Sequence, residues 1–315
     1  MDTSYKLSPN GVNVSVLISE TGSYALFFKS KMNSFTVSNQ PNELTYGAES
    51  SSIIPNKIWS FWDTDGSPVP SIVTMCIDSW KKHNPTYEIV LLNRTSLATY
   101  LPTVDFSMIT RAHDSVRRFS DFVRLLILAE YGGFWIDSSI ICHKPFDWTH
   151  AVQKKQDVDF VGYYLDKFTV SNYKSFSPVI ESWFFACVPK SPFVIAWRDE
   201  FMRTNQFSGV GAYLTAIERL GICLQKIDNP DYLLIHVCAQ VIMQRNMTGY
   251  KITLFQAEFG AYKYLVDANW DTNNAVNLLV DPATAENYFE IPIVKLRGNE
   301  REVLDKNPNK SIAFN

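Results

Sequence analysis

Three groups of side chains in this sequence have types and spacing that suit chemistry on a charged substrate. The first is Asp137-Ser138-Ser139, a carboxylate and two hydroxyls delivered directly after Tyr131-Gly132-Gly133-Phe134-Trp135-Ile136. The second is the set Arg117, Asp121 and Arg124, just upstream. The third is Lys295, Arg297 and Arg301, three cations around Gly298 near the end of the chain. A carboxylate at the end of a strand is placed for chemistry when the sheet is parallel, because ligands bind beyond the carboxyl ends of such strands. Each group also has a plainer reading. A strand-end Asp is often a loop cap. Arg117–Asp121–Arg124 at helical spacing is also a surface salt-bridge ladder worth a few tenths of a kcal/mol. Three cations near a glycine make either an ordinary solvated loop or a cover over an anionic ligand.

The elements around these residues follow from hydrophobic spacing. Residues 115–131 read as a helix with Phe119, Phe122, Val123, Leu126 and Ala129 on one face and Arg117, Asp121 and Arg124 opposite. Leu125 and Leu128 flank the charged stripe where a solvated face would carry Lys and Glu, so the stripe is expected to look into a partly covered cleft. Gly132-Gly133 ends this helix, and Phe134-Trp135-Ile136 is a buried strand. Upstream, residues 53–62 read as the first core strand with Pro55 at its start. Residues 63–68 are a turn. Residues 70–83 form an amphipathic helix with Ile72, Met75, Cys76, Ile77, Ser79 and Trp80 inward, stopped by Asn84-Pro85, and 87–92 is a second strand. Strand, helix and strand in about 40 residues indicate an α/β fold with a parallel sheet. Downstream, 158–163 and 179–187 read as strands, with Glu181 at the start of the latter. Residues 193–203 and 232–245 read as helices; the second carries His236, read as a core histidine. The tail from 250 reads as mixed strand and loop. Residues 1–50 read as a small β extension, with strands near 12–18 and 24–28 and a linker at 45–52.

Composition narrows the class. Hydrophobic residues make up 46% and charged residues 19%, which is globular. Net charge is −3 with no long basic run, against a nucleic-acid or anionic-membrane partner. Five scattered cysteines without a Cys-x-x-Cys pair suggest reduced thiols in a cytoplasmic protein, not zinc or a disulfide framework. Neither a signal peptide nor a membrane span is expected. There is no Walker loop, Gly-x-Gly-x-x-Gly, Gly-x-Ser-x-Gly or His-Glu-x-x-His, which removes P-loop ATPases, typical dehydrogenases, α/β-hydrolases and zinc proteases.

The run from Ser71 to Ile89, and Phe119-Ser120-Asp121-Phe122-Val123-Arg124 followed by Tyr131-Gly132-Gly133-Phe134-Trp135-Ile136-Asp137, resemble the capsular polysaccharide synthesis family. The wider group is the DXD-containing sugar transferases related to yeast α-mannosyltransferases. Glu181-Ser182-Trp183-Phe184-Phe185-Ala186 and Tyr232-Leu233-Leu234-Ile235 resemble its weaker downstream blocks. The resemblance covers roughly 53–245. It implies a GT-A fold: a Rossmann-like domain over 51–315 whose nucleotide-sugar part spans about 53–145 and whose acceptor part spans about 146–315. It further implies that Asp121 and Arg124 lie near the donor, although Arg124 follows the Asp by three residues where the family pattern has four. Trp59, Phe61 and Trp62 would line the base and ribose. Asp137 would face Mn²⁺ or Mg²⁺ and the donor diphosphate.

One departure bears on the metal. A full motif would read Asp-x-Asp, and this chain has Asp137-Ser138-Ser139. Hard cations prefer several carboxylate oxygens, so any ion would be held by Asp137 with Ser139 or water. Without an ion, Lys295, Arg297 and Arg301 would neutralise the leaving diphosphate. The implied activity is transfer of a hexosyl or pentosyl group from a UDP- or GDP-sugar to a glycan hydroxyl, with Glu181 as candidate base. Two alternatives stay open. One is a carbohydrate-cleaving enzyme, which needs two carboxylates at a set separation. The other is a catalytically inactive sugar-binding or scaffold protein of the same fold.

Overall fold

The computed structural model describes residues 52–63, 68–106, 115–246 and 250–315, together with the backbone of three earlier strands. Most of the expected turn at 63–68, residues 64–67, and nearly all of the expected linker at 45–52 lie outside the described residues. The chain is α/β. Its strands are β1 (Thr3–Tyr5), β2 (Val14–Ile18), β3 (Tyr24–Phe27), β4 (Lys57–Phe61), β5 (Glu88–Leu92), β6 (Gly133–Ile136), β7 (Ile140–Cys142), β8 (Phe160–Tyr164), β9 (Ile180–Cys187), β10 (Ile252–Gln256) and β11 (Ile293–Lys295). Nine of them form one sheet in the order β1-β2-β3-β10-β8-β9-β6-β4-β5, and β7 and β11 form a separate pair. β4 runs parallel to β5 and β6, and β8 runs parallel to β10. β9 is antiparallel to both β6 and β8 and so joins the two parallel parts. The N-terminal strands add to the edge of the same sheet through β3 and β10.

Helices cover both faces because alternate strand residues point to opposite sides. Trp59, Trp135 and Phe185 enter one core. Ile58, Phe134, Ile136 and Phe184 enter the other. The first core is covered by α3 (Val116–Tyr131), α5 (Pro192–Arg203) and α7 (Leu234–Arg245). The second is covered by α1 (Ser71–His83), which buries Ile72, Val73, Cys76, Ser79 and Trp80, and by the C-terminal helices. Between α1 and α3 lies the short α2 (Leu97–Tyr100), and α4 (Asp147–Gln156) and α6 (Val210–Glu218) follow α3. The tail differs from expectation. It is mostly helical, with α8 (Lys263–Asp267), α9 (Thr272–Val280), α10 (Pro282–Phe289) and α11 (Gly298–Lys306). Asp271 and Asp281 cap α9 and α10 through their side chains, and Pro282 opens α10; these caps read as loop polarity in the sequence.

α3 sets the depth of the site. Ser115 caps it by accepting from the Arg118 N–H at 3.2 Å. The helix is buried on nearly every side, its charged stripe included: Asp121 and Arg124 are 3% and 5% exposed. Gly132 then ends the helix at φ +61 and Gly133 continues at φ +91, the left-handed half of backbone space that suits glycine. A Cβ on Gly132 would stand 2.5 Å from the Pro189 nitrogen, and one on Gly133 would stand 2.5 Å from the Lys57 oxygen. The pair therefore lets α3 turn directly into β6, tight against β4.

Candidate functional site

β6 ends at Ile136, so Asp137 emerges at its carboxyl end. The Asp137 N–H donates to the Trp183 carbonyl at 2.9 Å, which ties the turn to β9. The neighbouring Ser138 is held by Ser60 at 2.8 Å, hydroxyl to hydroxyl. Ser139 donates to the Leu296 carbonyl at 2.9 Å. The Asp137 side chain remains 26% exposed and opens into a cleft of about 410 Å³ that also takes in Asp121, Arg124, Glu181, Lys295 and Arg297. Residues from α3, β6, β9, α7 and the C-terminal strand meet there.

A charge network runs along the floor. Arg124 donates through Nη1 to the Ser182 carbonyl at 2.6 Å and the Ser182 hydroxyl at 2.9 Å. Its Nη2 lies 3.1 Å from Asp121 Oδ1 and 3.5 Å from Asp137 Oδ1. Arg117 reaches Asp121 at 3.8 Å. From the C-terminal strand, the Lys295 ammonium donates to Asp137 Oδ2 at 3.0 Å and to Ser139 Oγ at 2.8 Å. The Trp135 indole donates to Asp137 Oδ1 at 3.0 Å. Burial pushes the Asp137 carboxyl up, but Lys295, Arg124 and the Trp135 hydrogen bond outweigh it and hold the group below the usual carboxylate range. Asp121 goes the other way: burial raises it, and Arg124 and Arg117 offset only part of that.

The rest of the cleft lining is carboxylate and aromatic. Glu181 Oε2 lies 3.3 Å from His236 Nε2, and the other ring nitrogen of His236 is buried without a partner. Trp183, Tyr262 and Trp270 line the cleft in a row, with ring centroids 5.3 Å and 5.8 Å apart. Asn269 and Trp270 both have positive φ, 51° and 63°. Such backbone in a bulky residue costs on the order of 1–3 kcal/mol and clusters at functional sites. It turns the indole toward the cleft, where Lys167 lies 4.6 Å and Arg297 5.5 Å from its ring.

Of the residues singled out from sequence, Asp121, Arg124, Asp137, Glu181, Lys295 and Arg297 come together in this cleft. The charged stripe of α3 does face a cleft, and its residues also pair with one another. Trp59, Phe61 and Trp62 are not among the described residues that line it. Trp59 is fully buried, with its indole donating to the Gly132 carbonyl at 3.0 Å. Phe61 packs on Phe119 at 5.6 Å, and Trp62 lies under the Arg301 guanidinium at 5.3 Å. The physical reason is strand alternation: Trp59 and Phe61 share the face of β4 that packs on α3. Arg301 points from α11 to Trp62 and is likewise outside the cleft lining. His236, expected as a core histidine, is 6% exposed and lines the cleft beside Glu181. The aromatic wall was missed. Trp270 follows Asn269, a residue type that tolerates left-handed backbone, and that dipeptide is the signal that marks the turn.

The residues at Asp137 do not fit a divalent cation. Such an ion takes about six oxygen ligands. Here Asp137 is the lone carboxylate at the point, both of its oxygens are engaged, and Ser139 spends its proton on Leu296 while accepting from Lys295. No group of three or more His, Cys, Asp or Glu able to hold a metal occurs among the described residues. No helix among them is long and apolar enough to cross a membrane.

Similarity to known proteins can be set beside this geometry. Among solved structures, the chain is similar to the PaToxG glycosyltransferase, with 14% identity, a TM-score of 0.35, and 83% of this chain and 87% of that one covered. It is also similar to the apo WbbM bifunctional glycosyltransferase, at 13% identity and TM-score 0.40, covering 85% of this chain and 52% of that one. The ligand-free glycosyltransferase domain from the YGT toxin matches at 12% identity and TM-score 0.34, covering 84% and 98%. Likeness at this level says nothing about substrate. No match is found among curated proteins. The profile of the family described as capsular polysaccharide synthesis protein matches residues 23–206, which is 184 of the 315 positions and includes α3, the glycine pair, Asp137 and Glu181. The chain belongs to the capsular polysaccharide synthesis protein family.

Proposed function

We propose that the chain transfers a hexosyl or pentosyl group from a nucleoside-diphosphate sugar, with UDP or GDP as the nucleotide, to a glycan hydroxyl during capsular polysaccharide synthesis. One observation carries this reading: a single cleft joins fixed cations, a carboxylate engaged by histidine, and a row of aromatic faces. Those are the parts that glycosyl transfer needs. The bond from C1 to the β-phosphate oxygen breaks with its electron pair left on the diphosphate. A bond forms from the acceptor oxygen to C1, and the acceptor proton passes to Glu181. Cations stabilise the leaving diphosphate, and the cleft walls position donor and acceptor. Trp270, with Tyr262 behind it, offers a ring face for a base or sugar; stacking of a base on an aromatic is worth about 1–3 kcal/mol. Asp121 and Arg124 act as positioning residues, since Arg124 joins Asp121, Asp137 and Ser182 in one rigid group.

A carbohydrate-cleaving role is favoured less. It requires a carboxylic acid that stays protonated at the scissile bond. Asp137 is held below its usual range, and Asp121, although burial raises it, is 3% exposed and ion-paired with Arg117 and Arg124, so it is poorly placed to hand a proton to a substrate.

The test is a panel of UDP- and GDP-sugars, each followed by thermal unfolding and by release of free nucleoside diphosphate. A true donor raises the melting temperature by mass action and is slowly hydrolysed. If the whole panel leaves both unchanged, with and without Mn²⁺, the chain is not an active transferase and the inactive sugar-binding reading takes its place.

A further inference from the structure

We infer that this site works without a divalent cation, and that the Lys295 ammonium stands where the ion would and carries the leaving diphosphate. The inference rests on the transferase reading above and adds to it the identity of the charge that replaces the metal. Lys295 is not a mobile surface lysine. Its residue is 8% exposed, and its backbone is fixed on both sides. The N–H donates to the Ala261 carbonyl at 3.1 Å, and the carbonyl accepts from the Tyr264 hydroxyl at 2.7 Å. β11 pairs with β7 so that Lys295 is opposite Ile140, two residues past Ser138. The next residue, Leu296, closes a double link with Ser139, donating to its carbonyl at 3.0 Å and accepting from its hydroxyl at 2.9 Å. The ammonium is thus delivered to the pair of oxygens, Asp137 Oδ2 and Ser139 Oγ, that a metal at this motif would take.

Electrostatics supports the exchange. An ion entering at Asp137 would come within reach of two fixed positive charges, Lys295 at 3.0 Å and Arg124 at 3.5 Å from the same carboxylate. Like charges at that range repel strongly in a partly desolvated cleft. Around Asp137 cations outnumber carboxylates three to two, and over the whole cleft lining, with Lys167, Arg297, Glu181 and Asp228 added, five to four. Arg117, Arg124 and Lys295 are three cations linked to two carboxylates, Asp121 and Asp137. Arg297 adds less, because it is already paired with the buried Glu300 at 2.6 Å. Lys295 is therefore the cation whose loss the reaction cannot absorb.

The full chain is tested with the donor found in the panel, in chelator and in Mn²⁺, with calorimetric binding of the free nucleoside diphosphate as a second readout. The expected result is binding and donor hydrolysis in chelator within about twofold of the values in Mn²⁺, and a loss of about 10²–10³-fold in hydrolysis for Lys295→Ala. Lys295→Arg should keep part of the rate, and it stands in should the alanine variant fail to fold. Lys295→Asp should make whatever activity remains depend on Mn²⁺. Wild-type activity abolished by chelator and restored by Mn²⁺ would overturn the inference and leave the transferase reading intact. A panel with no donor at all would overturn both.

Discussion

Glu181 and His236 face each other across 3.3 Å, each side chain 8% exposed, where the start of β9 meets the first turn of α7. A buried carboxylate needs a partner, and the imidazole supplies one while leaving Glu181 in the cleft lining. If Glu181 takes the acceptor proton, Glu181→Gln should lower transfer by about 10²–10⁴-fold and leave donor binding within about twofold. His236→Gln acts through Glu181; it should cost less in rate and displace the pH–rate profile. Steady-state kinetics with a fixed acceptor reads both. A parallel loss of donor affinity in Glu181→Gln would make the residue a donor ligand instead.

Asp137 is held below its usual range by Lys295 and Arg124, against the push of burial. An acid with a lowered folded value contributes stability above its unfolded value, about 3.9, and loses that stability as pH falls through the folded value. Asp137→Asn should therefore cost about 1–3 kcal/mol at neutral pH, less than a fully buried pair because the side chain is partly exposed. The difference from wild type should hold from neutral down to about pH 4 and shrink below it. Denaturant unfolding of both proteins across that range checks the sign.

Gly133 has φ +91 and backbone 2.5 Å from where a Cβ would stand. Gly133→Ala should destabilise the fold by more than the about 1–3 kcal/mol of strained backbone alone, because β4 must also move. Soluble yield and melting temperature report it. An alanine variant as stable as wild type would mean that the close approach to Lys57 is absent.

Trp59 and Trp270 separate core from cleft. Trp59→Phe leaves the Gly132 carbonyl without its indole partner and should cost about 1–3 kcal/mol of stability, with donor affinity unchanged. Trp270→Ala should weaken donor or acceptor binding by about 10-fold or more; the left-handed backbone strain stays, because alanine also carries a Cβ, and stability should fall only by the packing of the ring on Tyr262. Equal effects of the two on binding would return Trp59 to the site.

Much of this arrangement could be read from the chain itself. The 3.6-residue spacing of Phe119, Phe122 and Val123 marks α3, and the glycine pair marks its end, so Asp121, Arg124 and Asp137 fall into place from local rules. Glu181 and Lys295 were legible as residue types, but their meeting place was not, because it depends on strand pairings that span most of the chain. The aromatic part shows the limit of local reading. A tryptophan run beside a core strand, Trp59-Ser60-Phe61-Trp62, looks like a platform, and only the side of β4 that packs on α3 shows that Trp59 and Phe61 belong to the core. Trp270 sits in a turn whose backbone is set by its fit to Leu265 and Tyr262, contacts with no periodic signature.

The pairing of β7 with β11 has a consequence for how the protein comes into being. Asp137 and Lys295 are 158 residues apart, and synthesis runs from the N-terminus at about 5–20 residues per second. A nascent chain can thus close α3 and β6 many seconds before its lysine leaves the ribosome. During that interval the aspartate has Arg124 and Trp135 but lacks the ammonium. A product that stops short of Lys295 would keep Asp137 with Arg124 but lack the ammonium, and it would also lack Leu296 and Leu304 from the second core.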